Sequence, residues 1–369
     1  MKRLLKKFLI FCIPFVLLMA FFFAFEPYDY WNLKDDEWYM SRSISSMREL
    51  ILSDSQNIIL GDSRMANLNS DYIQEISGEK YTNMAYGGAT LHENIEQFWY
   101  AVNHTTNLKK AVIGISYYNL DGNLYSTRLD EVIEKAENPL AFMSDFGYWV
   151  DAFQNAKNKT VDLWAHITGN EDAKIHLDDP SVQDDPALTT EHTVGYRADL
   201  FDYAHTILGN ITAHGYSLAG EGMYIDRLLE IAEYCDKNGI ELILVMAPCN
   251  RAIWDIVIYP NQIDMTMEYY KNILKSAATV YDAEFYNDFA MDDTNFLDGH
   301  HLCKEEKLRM ARIIFGSEES PYYLKTTPEQ YLSGDYTLTD QMSVLPPAQE
   351  VIPEDVPQDP PGDHSDNAR

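Results

Sequence analysis

Basic charge is scarce in this chain of 369 residues: 28 Lys and Arg stand against 58 Asp and Glu, a formal charge of −30. A phosphate backbone would be repelled over most of such a surface, which excludes nucleic acid as a partner. Cysteine is scarce too. Of four, Cys12 falls in an apolar run, leaving Cys235, Cys249 and Cys303, an odd number and no disulfide framework. Cys249 follows a candidate strand and Cys303 a histidine pair, so a bond between these two and three separate thiols both stay open. The chain has no internal repeat. It also lacks a small-x-small cleavage site after its N-terminal apolar run, where it reads Phe22-Phe23-Ala24-Phe25-Glu26-Pro27.

That apolar run is the strongest local signal present. Lys2, Arg3, Lys6 and Lys7 precede an uncharged stretch from Phe8 to Phe25. At about 1.5 Å rise per residue the stretch reaches about 27 Å, close to the hydrocarbon thickness of a bilayer. Residues 1–25 therefore read as a cytoplasmic basic segment and an uncleaved transmembrane signal anchor. Basic residues stay inside, which puts the rest of the chain outside the cytoplasm of a single-pass membrane protein.

Residues 26–54 are polar and aromatic. Tyr28, Tyr30, Trp31 and Trp38 suit a membrane–water boundary, so this part reads as a juxtamembrane stalk. From residue 55 short apolar runs alternate with amphipathic helical patterns, which predicts an α/β fold of three layers, α/β/α, around a central parallel sheet of about five strands. Candidate strands are Asn57–Leu60, Tyr81–Met84, Ala111–Ile115, Glu241–Ala247 and Glu284–Tyr286. Helices are expected over Leu91–Asn103, Met223–Asn238, Ile263–Thr279 and Lys304–Phe315, two of them followed by the C-cap glycines Gly239 and Gly316. Residues 120–221 break this rhythm with Trp- and Tyr-rich helical stretches and an acidic loop at Asp178–Asp185. They read as an insertion over the sheet's C-terminal edge, within a domain covering 55–325. From 326 to 369 the composition turns to Pro, Asp, Glu and Ser without a periodic apolar face, the pattern of a disordered tail.

The first strand runs directly into Gly61-Asp62-Ser63-Arg64. A serine at the carboxyl end of a parallel strand sits where open α/β sheets bind ligands, and Gly61 permits the sharp turn. By itself the tripeptide is an ordinary turn. The last loop adds Leu297-Asp298-Gly299-His300-His301-Leu302, in which an Asp and a His three residues apart can face each other, carboxylate orienting imidazole and imidazole deprotonating serine.

Both blocks, in this order, resemble the SGNH/GDSL hydrolase superfamily, over roughly residues 55–316. The resemblance implies a flavodoxin-like sheet, Ser63 as nucleophile, and Asp298 and His301 as its partners. It also implies oxyanion-hole donors: Gly88 or Gly87 in Asn83-Met84-Ala85-Tyr86-Gly87-Gly88-Ala89, and Asn119 in Gly114-Ile115-Ser116-Tyr117-Tyr118-Asn119, where the family usually reads Gly-x-Asn-Asp. Ser116 is a second possible donor. Asp-x-x-His spacing selects His301, which leaves His300 to bind substrate, tune the site or face solvent. Arg64 is free to bind an anionic group or to pair with a carboxylate. Adjacent histidines point apart in an extended loop, so no metal is expected, nor any cofactor.

An N-terminal anchor joined to such a domain is similar in architecture to the D-alanyl transfer (DltD-like) and polysaccharide O-acetylation proteins, although that branch usually carries Gly-Ser-Ser at the nucleophile. That likeness implies a serine acyltransferase or esterase acting on acetyl or D-alanyl groups of a cell-envelope polymer, beside a membrane-bound O-acyltransferase. A plain carbohydrate esterase and a non-catalytic scaffold for that partner are the other two readings.

Overall fold

The computed structural model describes residues 2–31, 33, 43–53, 55–169, 194–216 and 223–334. Trp38, the Asp178–Asp185 loop and the chain beyond 334 lie outside the described residues.

Short apolar segments buried along almost their whole length cannot tolerate a solvated face, and here they pair side by side. The strands are Asn57–Leu60 (β1), Thr82–Asn83 (β2), Lys110–Ile115 (β3), Glu241–Met246 (β4), Thr279–Asp282 (β5) and Leu324–Thr326 (β6). They form one sheet in the order β2-β1-β3-β4-β5-β6, parallel from β2 to β5, with β6 antiparallel at the edge. Helices alternate with them. Lys2–Phe25 (α1) and Ser43–Ser53 (α2) precede β1; Ser63–Ala66 (α3) and Ser70–Ser77 (α4) follow it; Leu91–His104 (α5) joins β2 to β3. Between β3 and β4 lie Arg128–Glu137 (α6), Pro139–Ser144 (α7), Phe146–Thr168 (α8), Val194–His214 (α9) and Met223–Asn238 (α10). Then come Arg251–Ile253 (α11), which runs into a π-helical turn at Trp254–Ile258, and Ile263–Lys275 (α12). Asp288–Met291 (α13) and Lys304–Phe315 (α14) separate β5 from β6, and Pro328–Ser333 (α15) follows.

Successive strand residues point to opposite faces. Ile58, Leu60, Ala111, Ile113, Leu242 and Leu244 enter one core with α2, α5 and α10, while Ile59, Val112, Ile243 and Val245 enter a second with Met65, Ile73, Met310 and Ile314. A third core stands beyond the strand C-termini: Leu200, Ala204 and Ile207 of α9 close on Tyr117, Cys249, Ile253 and Tyr286. The chain order reverses between β1 and β3, so the crevice at their carboxyl ends is where such a sheet binds ligands.

Three expectations change. The sheet has six strands, and its fifth is Thr279–Asp282 rather than Glu284–Tyr286, so α12 stops at Lys275 instead of running to Thr279. An acidic residue, Asp282, ends that strand fully buried, held by Lys271 at 2.8 Å and Lys275 at 3.4 Å; a search for apolar runs passes over it. The aromatic segment read as a stalk belongs to the core. Tyr30 stacks on Phe142 with centroids 4.1 Å apart, donates its hydroxyl to the Lys135 carbonyl at 2.7 Å, and has the Arg48 guanidinium over its ring at 4.2 Å. Tyr28 is equally buried. An amphipathic aromatic suits a wet interface or a core that offers its hydroxyl a partner, and here the partner is present. Finally, the domain runs past 326, because β6 closes there and α15 follows with a Thr327–Gln330 capping box. The N-terminal segment Lys6–Phe25 is long and apolar enough to cross a membrane.

Candidate active site

Ser63 opens α3 directly beyond β1, and its placement depends on a tight packing of backbone on backbone. Gly61 has φ +149°, and a Cβ there would lie 2.5 Å from the Met65 Cγ and 3.3 Å from the Gly114 Cα; a Cβ on Gly114 would meet the same Met65 Cγ at 2.3 Å. A glycine just past the end of β1 and another within β3 therefore leave room for the Met65 side chain against the sheet. Asp62 caps the helix, accepting the Arg64 amide at 3.0 Å.

The three residues expected from Gly-Asp-Ser and Asp-x-x-His meet. Ser63 Oγ stands 2.6 Å from His301 Nε2, and His301 Nδ1 stands 2.7 Å from Asp298 Oδ2. The second Asp298 oxygen accepts the backbone N–H groups of His300 at 2.8 Å and His301 at 2.9 Å. Burial pushes this carboxyl up, but hydrogen bonds from the His301 imidazole and the two amides outweigh it and hold it below the ordinary carboxylate range. The His301 side chain remains 24% exposed. A serine, an imidazole and an anchored carboxylate in this chain of contacts can transfer a proton from Ser63 to Nε2 while Nδ1–H stays on the carboxylate.

Asn119 is buried in the turn after β3. Its amide donates to Ser116 Oγ at 3.2 Å, and its side-chain oxygen accepts the Ser116 hydroxyl at 3.4 Å. Its side-chain nitrogen is buried without a hydrogen-bond partner among the described residues. With O and N assigned this way, a donor is left over in a turn that adjoins the Gly61 turn, because Gly114 lies against Gly61. Ser116 Oγ is occupied by Asn119 itself. On the other flank, the Tyr86 amide donates to the Gly61 carbonyl at 3.2 Å, which carries Gly87 and Gly88 past the nucleophile turn. Gly88 has φ +68°, and its carbonyl accepts Arg128 Nη2 at 2.6 Å.

His300 and Arg64, both candidates for binding substrate, are held by protein partners, and for Arg64 the carboxylate pairing is the alternative present. His300 is buried between two tyrosines, with Tyr117 Oη 2.8 Å from Nε2 and Tyr203 Oη 3.0 Å from Nδ1. Burial, and then the Arg64 charge, push its pKa down to about 3, so it is a neutral imidazole. Arg64 is buried in an ion pair with Asp62 at 2.6 Å, and its Nη1 lies 3.9 Å from Glu284 Oε1.

Glu284, two residues beyond β5, gave no signal in the sequence, since an acidic residue in a stretch of ordinary composition matches no motif. Both its oxygens accept the Tyr117 backbone N–H, at 3.2 and 3.1 Å. Its backbone carbonyl accepts the Lys271 ammonium, which also pairs with Asp282. Cys249 is a buried thiol donating toward Glu284 Oε1 at 3.7 Å; of the two states left open for Cys249 and Cys303, separate thiols are the one present, and all four cysteines are free. Burial pushes the Glu284 carboxyl up to about 7 against the pull of Lys271 and Arg64.

No protein-family model matches this chain, and no curated protein matches its sequence. Among solved structures the chain is similar to a candidate acylhydrolase from Bacteroides fragilis, 14% identical over 76% of this chain and 95% of that one, with a TM-score of 0.36. It is also similar to a candidate platelet activating factor from Streptococcus pneumonia, 10% identical over 82% and 97%, with the same TM-score. Likeness at this level carries no weight for the chemistry, which rests on the site's own atoms.

Proposed function

We propose that this chain is a membrane-anchored serine esterase or acyltransferase of the SGNH type, working outside the cytoplasm through an acyl-enzyme on Ser63. The observation that carries this reading is the Ser63–His301–Asp298 chain of hydrogen bonds at 2.6 and 2.7 Å. His301 Nε2 takes the Ser63 proton as Oγ attacks an ester or thioester carbonyl, Asp298 holds the tautomer that leaves Nε2 free, and His301 returns the proton to the departing group. The unpartnered Asn119 side-chain nitrogen, with the Ser63 and Gly88 amides, supplies the donors for the tetrahedral oxyanion. Water or a second hydroxyl then releases the acyl group.

An acyl group on a cell-envelope polymer is the substrate class proposed. An imidazole 24% exposed is reachable by the side of a long chain, and the apolar Lys6–Phe25 helix would hold the domain at the membrane. The test is labelling by a fluorophosphonate probe. Wild-type protein should be labelled and Ser63→Ala should not; a folded wild-type protein that takes no label would overturn the enzymatic reading. Release of acetate or D-alanine from isolated envelope polymer, with and without an added hydroxyl acceptor, then separates hydrolysis from transfer.

A further inference from the structure

Helix α8 faces the wrong way for a helix on a water-soluble domain. The side turned to the domain carries small and amide residues, with Ala152, Asn155, Asn158 and Ala165 all buried. The opposite side, at helical spacing over six turns, carries Phe146, Val150, Phe153, Trp164 and Ile167, with Phe146 78%, Phe153 54%, Trp164 67% and Ile167 67% exposed. Leu140 on the preceding α7 adds to the same exposed apolar population. Tyr148 and Trp149 in the first turn pack on the core, but beyond them the inward residues are small or polar while large apolar ones face out, and exposed apolar area of this kind marks a surface that meets something other than water.

What it meets follows from where α8 sits. The last turns of α1 dock on it: Phe22 is fully buried with its ring 4.4 Å from Trp149, and Phe21 packs 4.8 Å from Phe153, itself a member of the exposed stripe. Asn155 Nδ2 donates to the Phe25 carbonyl at 2.7 Å. These contacts join the last turn of α1, Phe21 to Phe25, to Trp149–Asn155 in the first half of α8. Earlier in α1, Phe8, Phe11, Phe15 and Leu17 are all exposed. Phe21 lies four residues before the end of the apolar segment, about 6 Å along the axis. Residues of α8 that touch α1 at that level fall within the headgroup–acyl boundary, where interfacial helices bury their apolar face about 5–10 Å deep.

From this we infer that α8 is a second membrane contact, an interfacial helix lying on the outer leaflet with Phe146, Val150, Phe153, Trp164 and Ile167 among the lipid chains. The inference rests on reading α1 as membrane-crossing. Lys157 projects from the middle of the stripe and is exposed; its four-carbon stem can lie along the apolar face while its ammonium reaches the phosphates. The surface is thus amphipathic in the sense a bilayer requires, in a chain whose net charge of −30 otherwise disfavours anionic lipid.

The test uses the full chain reconstituted in vesicles of phosphatidylethanolamine and phosphatidylglycerol. Nitroxides are placed one at a time through Phe146→Cys, Phe153→Cys, Trp164→Cys, Phe15→Cys and Lys237→Cys in a Cys12→Ser, Cys303→Ser background, and collision with oxygen and with a water-soluble nickel complex is read by electron paramagnetic resonance. Labels at 146, 153 and 164 should be rich in oxygen and shielded from nickel, at depths of about 5–10 Å below the phosphates. The label at 237, on the exposed face of α10, should behave as in water. Water-like labels at 146, 153 and 164 beside a buried label at 15 would overturn the inference and leave the anchor standing. A water-like label at 15 would remove the anchor and the inference together. Labels at 146, 153 and 164 shielded from both reagents would also overturn it, by showing a protein on this face in place of lipid.

Discussion

Glu284 grips the Tyr117 backbone N–H with both carboxylate oxygens while standing 3.9 Å from the Arg64 guanidinium. One buried side chain from beyond β5 therefore touches two loops of the site at once: the turn that carries Asn119, through Tyr117, and the turn that carries Ser63, through Arg64. It reaches no substrate. Its action is positional, and its protonation state is open to measurement.

In the unfolded chain Glu284 ionises near its ordinary value of 4.5, and in the folded protein near 7. Between those values the folded state keeps a proton that the unfolded state has released, so this carboxyl makes stability fall as pH rises from about 4.5 to about 7, by up to about 3 kcal/mol. Glu284→Gln keeps an oxygen for the Tyr117 N–H and has no proton to lose. The difference in unfolding free energy, variant minus wild type, should move in the variant's favour by that order between pH 5 and pH 8, as read by urea titration in detergent. A flat difference would mean that Arg64 and Lys271 cancel the cost of burial.

Asp298→Asn should leave the fold intact, because an amide oxygen can still accept the His300 and His301 N–H groups. It cannot hold Nδ1–H as the carboxylate does. The expected fall in the rate of Ser63 acylation is about 10⁴-fold, the scale known for an orienting carboxylate in a serine triad. Stopped-flow release of a chromogenic ester's leaving group checks it, and a loss below tenfold would mean that His301 keeps its tautomer without help.

Gly61 and Gly114 make a prediction about stability rather than rate. Gly114→Ala drives a methyl to 2.3 Å from the Met65 Cγ, a mid-chain atom that cannot swing clear, and Gly61→Ala adds strain at φ +149°. Each should cost about 1–3 kcal/mol. In a double-mutant cycle Gly114→Ala should cost less in a Met65→Ala background, with a coupling of about 1 kcal/mol or more in denaturant melts. Strict additivity would show that Met65 is not what the glycine accommodates.

The elements legible in the sequence were those carried by local pattern. β1 reads Asn-Ile-Ile-Leu into Gly-Asp-Ser, and α10 and α14 have apolar periodicity followed by glycine. What the sequence concealed depends on partners far along the chain. Tyr28 and Tyr30 look interfacial until Tyr148 is found beside the first, and Phe142 and the Lys135 carbonyl beside the second. Asp282 hides a strand because Lys271 and Lys275 neutralise it in space, not in the local pattern. In the site, the motifs name Ser63, Asp298 and His301, and these three come together, whereas they leave open whether Arg64 and His300 meet substrate or protein. A charged or imidazole side chain next to a nucleophile looks available for substrate, and only the fold reveals Asp62, Tyr117 and Tyr203 already holding it.

Asn119 separates a donor for the oxyanion from a residue that merely caps a turn. Its buried side-chain nitrogen has no partner among the described residues, a state that ordinarily costs a folded protein about 1–3 kcal/mol. Removing it should therefore not destabilise the fold through that atom. If the nitrogen meets the oxyanion, Asn119→Ala lowers kcat by about 10²–10³-fold with KM nearly unchanged, because the contact exists only in the tetrahedral state. Asn119→Asp should be at least as slow, since it sets a carboxylate where negative charge develops. A capping role gives the opposite pattern: both variants melt at lower temperature, and the rate per folded molecule stays within a few-fold of wild type. Parallel melting curves and ester hydrolysis on the same samples distinguish the two, and the combination of unchanged stability with a hundredfold slower turnover is the one expected of an oxyanion donor.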